Sequence, residues 1–361
     1  MMKIAPIVAE LARRGDDFEH VLVHTGQHYD REMSEIFLEE LGVGDPDYSL
    51  GVGSGSHAQQ TARVMERLEP VLLEAEPDIV LAPGDVNSTA AGALTASKLL
   101  MPIGHVEAGL RSFDRTLPEE INRIVADQLS RLLFVHSPEG WDNLISEGVD
   151  EAWIHDVGNT MIDSLVAMQP RIDEADAPSA HGLERGSYVV VTLHRHWVDG
   201  PFLGEAIARL TEVADQMPVV FPVHPRARAA MDAMGLRAGS ARLKLIEPVG
   251  YIEFMSLVQA AAGVLTDSGG IQEETTYLGI PCFTLRPNTE RPVTLVENGG
   301  TNVILGAAPE RISEVPALLH DPPADRRVPP LWDGKAAERI VNVLARTLEG
   351  DRVQELGEIP R

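Results

Sequence analysis

Short runs of apolar, largely β-branched residues alternate along this chain with longer stretches whose apolar positions recur every three or four residues. The runs fall at residues 20–24, 78–82, 103–106, 132–135, 152–157, 188–193, 219–223, 243–246, 263–266 and 281–285. Between them, 59–75 and 202–216 carry amphipathic helical spacing, and 334–349 predicts a final helix. Uninterrupted apolar strands separated by helices mean βαβ units, with parallel sheets buried on both faces. Ten strands exceed one ordinary sheet, so the pattern predicts an α/β protein with two doubly wound domains. The stretch 170–186, rich in Asp, Ala, Pro, Ser and Gly, predicts the linker between them. The expected division is 1–170, 171–333 and a C-terminal helical segment, 334–361, packing back on the first domain.

Composition narrows the function. The 361 residues suit two cores, with an ordinary 44% of hydrophobic residues. The formal net charge of −25 repels nucleic acid and anionic lipid, so neither is an expected partner. It leaves room for an anionic small ligand, which needs only local positive groups and backbone N–H donors. No apolar stretch reaches the roughly 18 residues of a membrane span, and the N-terminus has no signal-peptide core. The lone Cys282, inside an apolar run, fits a reducing compartment. A cytoplasmic protein is expected. His194 and His196 have the spacing to share a metal, but no third ligand is visible in the sequence, so no metal is expected.

In open α/β sheets, ligands sit beyond the carboxyl ends of the strands. Six of the runs lead into polar groups with small residues nearby: Thr25-Gly26-Gln27-His28, Gly84-Asp85-Val86-Asn87-Ser88, Glu107-Ala108-Gly109-Leu110-Arg111, His194-Arg195, His224-Pro225-Arg226 and Asp267-Ser268-Gly269-Gly270. Six such ends, drawn from both halves, argue for a shared cleft. Gly269 and Gly270 let backbone approach a ligand, and the helix after them points free N–H groups at it, which suits a diphosphate. Glu274, one turn in, can accept from ribose hydroxyls. The bland alternative makes Ser268 a helix N-cap followed by acidic residues. Thr116-Leu117-Pro118-Glu119-Glu120 looks locally like a capping box, with Thr116 as the cap and Glu119 closing it; the functional alternative is that Glu119 or Glu120 faces the cleft beside Arg123. For Glu107, the alternative is a salt bridge to Arg111.

These motifs occur in one order: His24-Thr-Gly-Gln-His-Tyr-Asp30, Gly84-Asp-Val-Asn-Ser-Thr89, His105-Val-Glu-Ala-Gly-Leu-Arg111, Pro118-Glu-Glu-Ile-Asn-Arg123, Gly158-Asn-Thr160, Asp267-Ser-Gly-Gly-Ile-Gln-Glu-Glu274 and Thr289-Glu-Arg-Pro292. The series closely resembles the non-hydrolysing UDP-N-acetylglucosamine 2-epimerases, from residue 3 to about residue 305. The resemblance implies two Rossmann-like domains facing a central cleft, as in the GT-B glycosyltransferases. It also implies a homodimer, a UDP-sugar substrate, and no metal or other cofactor. Asp85, Glu107 and Glu119 match the carboxylates at the sugar, and His194 matches a catalytic histidine. His224, Ser268, Gly269, Gly270 and Glu274 match the residues that hold UDP, and Lys3 and Arg291 match basic positions near the cleft.

The implied reaction is reversible epimerisation at C2. Nothing acidifies the C2 proton of a hexose, so its removal is coupled to departure of UDP from C1. Carboxylates stabilise the positive charge that develops there. The intermediates are a 2-acetamidoglucal and UDP; proton transfer on two faces calls for more than one carboxylate.

Two departures stand out. The family usually begins with a strand and a Gly-Thr-Arg-Pro-Glu loop before the helix that here starts near Lys3, so the native gene product is expected to begin about ten to fifteen residues upstream. The family's His-Arg-x-Glu-Asn is replaced by His194-Arg195-His196-Trp197-Val198-Asp199. Asp30 stands where many bacterial members have a glutamine at an allosteric site, so that regulation is not expected. The rival readings are a hydrolysing 2-epimerase, a glycosyltransferase of the same fold, and a catalytically inactive UDP-sugar-binding protein.

Overall fold

The computed structural model describes residues 1–26, 40–193, 201–320 and 326–349. They form two compact units, one within residues 1–167 together with 330–349 and one within residues 168–329.

The N-terminal unit begins with α1 (Ala5–Arg13) and a two-stranded parallel pair, β1 (Val23–His24) and β2 (Tyr48–Ser49). The chain continues through α2 (His57–Ala75), β3 (Val80–Pro83), α3 (Asn87–Lys98), β4 (Ile103–Val106), α4 (Pro118–Leu129), β5 (Leu132–Val135), α5 (Pro138–Ser146), β6 (Ile154–Asp156) and α6 (Thr160–Ala175). Strands β3, β4, β5 and β6 pair in that order, all parallel. One face is covered by α2, α3 and α4, through Val64, Leu68, Ala91, Ala93 and Ala126. The other is covered by α1 and the chain's final helix, where Ile7 and Leu11 meet Ile340, Val341 and Leu344 over Phe134.

The C-terminal unit takes up α7 (Ala177–Ala180), β7 (Val189–Thr192), α8 (Pro201–Gln216), β8 (Val219–Pro222), α9 (Pro225–Ala233), β9 (Leu243–Ile246), α10 (Tyr251–Gln259), β10 (Gly263–Thr266), α11 (Gly269–Leu278), β11 (Cys282–Thr284), β12 (Asn302–Ile304) and α12 (Val315–His320). Its six parallel strands run β9-β8-β7-β10-β11-β12. Numbered from β7, this is the 3-2-1-4-5-6 order of the dinucleotide-binding folds, with the reversal between β7 and β10. Val189, Val190 and Val191 are buried, each contributing roughly 1.5–3 kcal/mol of hydrophobic stabilisation.

The chain then returns to the first unit as α13 (Ala336–Glu349). Three hydrogen bonds anchor the return. The Trp332 indole donates to the His136 carbonyl at 2.8 Å, and the Asp163 carboxylate accepts from Ala336 N at 3.1 Å and Ala337 N at 2.7 Å. Asp163 thus caps the final helix from another element.

Three expectations change. Part of the stretch read as a linker is helical: α6 runs through Pro170 to Ala175, and α7 follows. Strands β2 and β12 were not foreseen. They are two and three residues long, too short for an apolar run. The helix read from Thr116 instead starts at Pro118 with Leu117 as N-cap and no side-chain cap, because the Thr116 hydroxyl is donated to Asp114 Oδ1 at 2.6 Å.

Candidate functional site

In the N-terminal unit, adjacent parallel strands β3 and β4 end in register, Pro83 opposite Val106. Asp85 and Glu107 therefore leave the same edge of the sheet, where an open α/β sheet binds ligands. Glu107 adopts φ +73°, a left-handed conformation that is strained for a non-glycine residue. It is held there by the Glu107 and Ala108 N–H groups, which both donate to the Phe134 carbonyl.

The side chain of Glu107 pairs with Lys3, placed just before α1 and lying over Gly84. Two of the sequence-predicted site residues thus meet. The Glu107–Arg111 bridge considered above does not form. Arg111 turns the other way, to Asp127 Oδ2 at 2.7 Å and to both carboxylate oxygens of Glu147 at 2.7 Å.

Asp85 Oδ2 accepts from Arg123 Nη1 at 2.6 Å, and its carbonyl accepts from Asn122 Nδ2 at 2.9 Å. Arg123 is buried and also donates through Nη2 to Glu120 at 2.6 Å. Glu120 accepts further from Ser112 N, Ser112 Oγ and Phe113 N at 2.8–3.0 Å. Burial raises its pKa, but Arg123 and Ser112 outweigh that and hold it below the usual carboxylate range. Glu119 has a different setting. It is half-buried and makes no hydrogen bond or ion pair among the described residues. Of the two neighbours, Glu120 is committed to the turn, whereas Glu119 has no such partner among the described residues. Sequence reasoning passed over Arg123 as a site residue, although Pro118-Glu-Glu-Ile-Asn-Arg123 contains it.

The C-terminal unit presents a second cluster. At the strand-order reversal, buried Asp267 follows β10, and Ser268 occupies the N-cap of α11 without a side-chain capping bond. The cap alternative thus fails in its chemistry: the hydroxyl does not satisfy the helix's first N–H groups. A Cβ on Gly269 would lie 2.4 Å from Arg291 Nη1, so glycine is required for that approach. Arg291 is buried and balanced by carboxylates, pairing with Glu290 and, through Nε, with Glu273 at 3.0 Å.

Glu274 is also buried. Its Oε1 accepts from the Tyr251 hydroxyl at 2.7 Å, and burial pushes its pKa up to about 8. Nothing in the sequence marked Tyr251. His224 is exposed in the turn between β8 and α9. His194 and its altered loop lie outside the described residues. Burial raises the Cys282 thiol to about 11. Among the described residues, no helix is long and apolar enough to cross a membrane.

The family model described as UDP-N-acetylglucosamine 2-epimerase matches residues 9–345. The chain is 39% identical over 356 residues to a UDP-N-acetylglucosamine 2-epimerase of Methanococcus maripaludis, covering 95% of each. It is 44% identical over 316 residues to a UDP-2,3-diacetamido-2,3-dideoxy-D-glucuronate 2-epimerase of Pseudomonas aeruginosa, covering 86% of each. A crystal structure of the Methanocaldococcus jannaschii UDP-GlcNAc 2-epimerase, in complex with UDP-GlcNAc and UDP, is similar with a TM-score of 0.86. That pair shares 37% identity and 96% coverage of both chains.

Proposed function

The chain belongs to the UDP-N-acetylglucosamine 2-epimerase family, and from that premise we propose that it reversibly inverts C2 of a UDP-2-acetamido sugar. The observation that carries the reading is a set of three carboxylates, two beyond one sheet edge and one in the first turn of α4, in three different settings. Glu107 is paired with Lys3, Asp85 with Arg123, and Glu119 is unpartnered among the described residues. A carboxylate takes the C2 proton as the C1–O bond breaks and UDP leaves with its electron pair. Glycal and UDP remain bound, a second group protonates C2 on the other face, and UDP adds back at C1. Negative charge at the sheet edge stabilises the developing cation at C1.

In the other unit, the uncapped N-terminus of α11 and its two glycines suit the diphosphate, with Ser268 beside it and Glu274 at the ribose. Lys3, His224 and Arg291 serve as basic or polar substrate contacts, and His194 as a proton-handling group. The protein acts as a homodimer and needs no cofactor, as its resemblance to the family implies, and its lone buried Cys282 fits the cytoplasm.

The test is NMR of the protein with UDP-N-acetylglucosamine in D₂O. The expected result is UDP-N-acetylmannosamine in equilibrium, with deuterium at C2. Stoichiometric free UDP and N-acetylmannosamine would establish the hydrolysing reaction instead.

A second substrate is favoured by one observation, the 44% identity to the enzyme named for UDP-2,3-diacetamido-2,3-dideoxy-D-glucuronate. The two sugars differ in the substituent on C3, next to the reacting C2, and at C6, a carboxylate in one and a hydroxymethyl group in the other, but not in the bonds that change. Comparing kcat/KM for both decides between them.

A further inference from the structure

Two buried residues outside the proposed reaction tie its loops together. His105, on β4, has no exposed surface. Its Nε2 lies 2.8 Å from the Gly84 carbonyl, the residue before Asp85, and its Nδ1 lies 2.6 Å from Asp127 Oδ1. A carbonyl only accepts, so Nε2 carries a proton. The same Asp127 carboxylate accepts from Gly109 N at 3.2 Å and from Arg111 at 2.7 Å, on the turn that follows Glu107.

We propose that Asp127 and His105 are a positioning pair for the epimerase site: His105 holds the Asp85 loop through the Gly84 carbonyl, and Asp127 holds both His105 and the Glu107 turn. The inference rests on the reaction proposed above, because it assigns the pair to carboxylates that act there. Three residues of the stretch 105–111 converge on the Asp127 carboxylate, and the segment that carries Asp85 is reached through one of them, His105. Gly84 is further fixed by its own N–H, which donates to the Val106 carbonyl at 2.9 Å. Gly109 cannot be relieved by another residue, since a Cβ would lie 2.2 Å from the Gly140 oxygen. Asp85 and Glu107 therefore sit on turns whose backbones are set from below, by groups that do not reach substrate. Proton transfer depends steeply on such placement, and a misplacement of about 1 Å costs roughly 10²-fold.

The two ends of the imidazole can be tested apart. In His105→Gln, the amide nitrogen falls near the Nε2 position and keeps a donor for Gly84. In His105→Asn, the amide falls near Nδ1, keeps the Asp127 contact and releases Gly84. The expected result is a kcat lowered about 10- to 100-fold in H105N and in Asp127→Asn, with KM for the UDP-sugar within about twofold of wild type. H105Q is expected to retain several-fold more turnover than H105N, although Gln is no better a packing substitute. UDP titration, which reads the other unit, should be unchanged in all three.

Folded H105N and H105Q with equal kcat would overturn the proposal, whether or not D127N folds. So would a folded D127N with wild-type kcat, or a pure KM effect. A wild-type protein that exchanges no C2 hydrogen with either UDP-sugar would overturn the proposed function, and this inference with it. Wild-type exchange with indifferent variants sinks the inference alone.

Discussion

The Tyr251 hydroxyl donates a 2.7 Å hydrogen bond to Glu274 Oε1 inside the C-terminal unit, where burial pushes that carboxyl up to about 8. At neutral pH, the free protein therefore holds Glu274 mostly protonated. Ribose hydroxyls donated to the carboxylate would favour its ionised form.

UDP binding near pH 7 is thus expected to release a proton at Glu274. Calorimetry in buffers of different ionisation enthalpy reads this directly. Glu274→Gln should remove the release and weaken UDP binding, and subtracting the two removes the contribution of the phosphate, which itself titrates near pH 6. Identical proton release in both proteins would show that Glu274 does not meet the ribose.

The same residue affects stability with a definite sign. Between the ordinary value of 4.5 and about 8, the native protein holds a proton at Glu274 that the unfolded chain has lost. Its contribution is therefore favourable at low pH and is lost as pH rises through that window. Glu274→Gln should flatten the pH dependence of denaturant unfolding between pH 5 and 8, a window taken from those two values. An unchanged slope would mean that Glu274 ionises freely.

Asp85→Asn, Glu107→Gln and Glu119→Gln are each expected to lower turnover by about 10²-fold or more, while leaving UDP affinity unchanged. Steady-state kinetics with titration of UDP checks both halves. Normal turnover in E119Q would remove Glu119 from the reaction.

Glu120→Gln should behave differently from its neighbour. It loses a charge-assisted bond to Arg123 and weakens the bonds from the Ser112–Phe113 turn, at a cost of about 1–3 kcal/mol in stability. Thermal unfolding of E119Q and E120Q side by side should show a lower Tm only for the second.

Gly109→Ala combines φ +79° with a Cβ placed 2.2 Å from the Gly140 oxygen, so the turn must open. A loss of several kcal/mol, or failure to fold, is expected from expression and denaturant titration. Wild-type stability would show that the turn opens freely.

What the chain's own pattern determined follows from burial on both sheet faces. Strands at 103–106, 132–135 and 263–266 coincide with the apolar runs, because such strands are covered above and below and their runs begin and end with the sheet. The ordered motifs placed acidic groups beyond strand ends, since parallel strands must end in polar turns and glycine is needed where backbones crowd. Strand β12 escaped because buried Asn302 fills it with polar contacts to Gln272 and Thr294, which no apolar count detects. Only the tertiary structure separated Glu119 from Glu120. Adjacent helix residues point about 100° apart, and either could have faced the turn. The Ser112–Phe113 segment, folded against α4, supplies the N–H donors that claim Glu120 and leave Glu119 without a described partner. Likewise, Arg111 had an acidic residue four positions away, yet found Asp127 and Glu147 instead. Partners distant in sequence are brought together only by packing, and no local spacing encodes them.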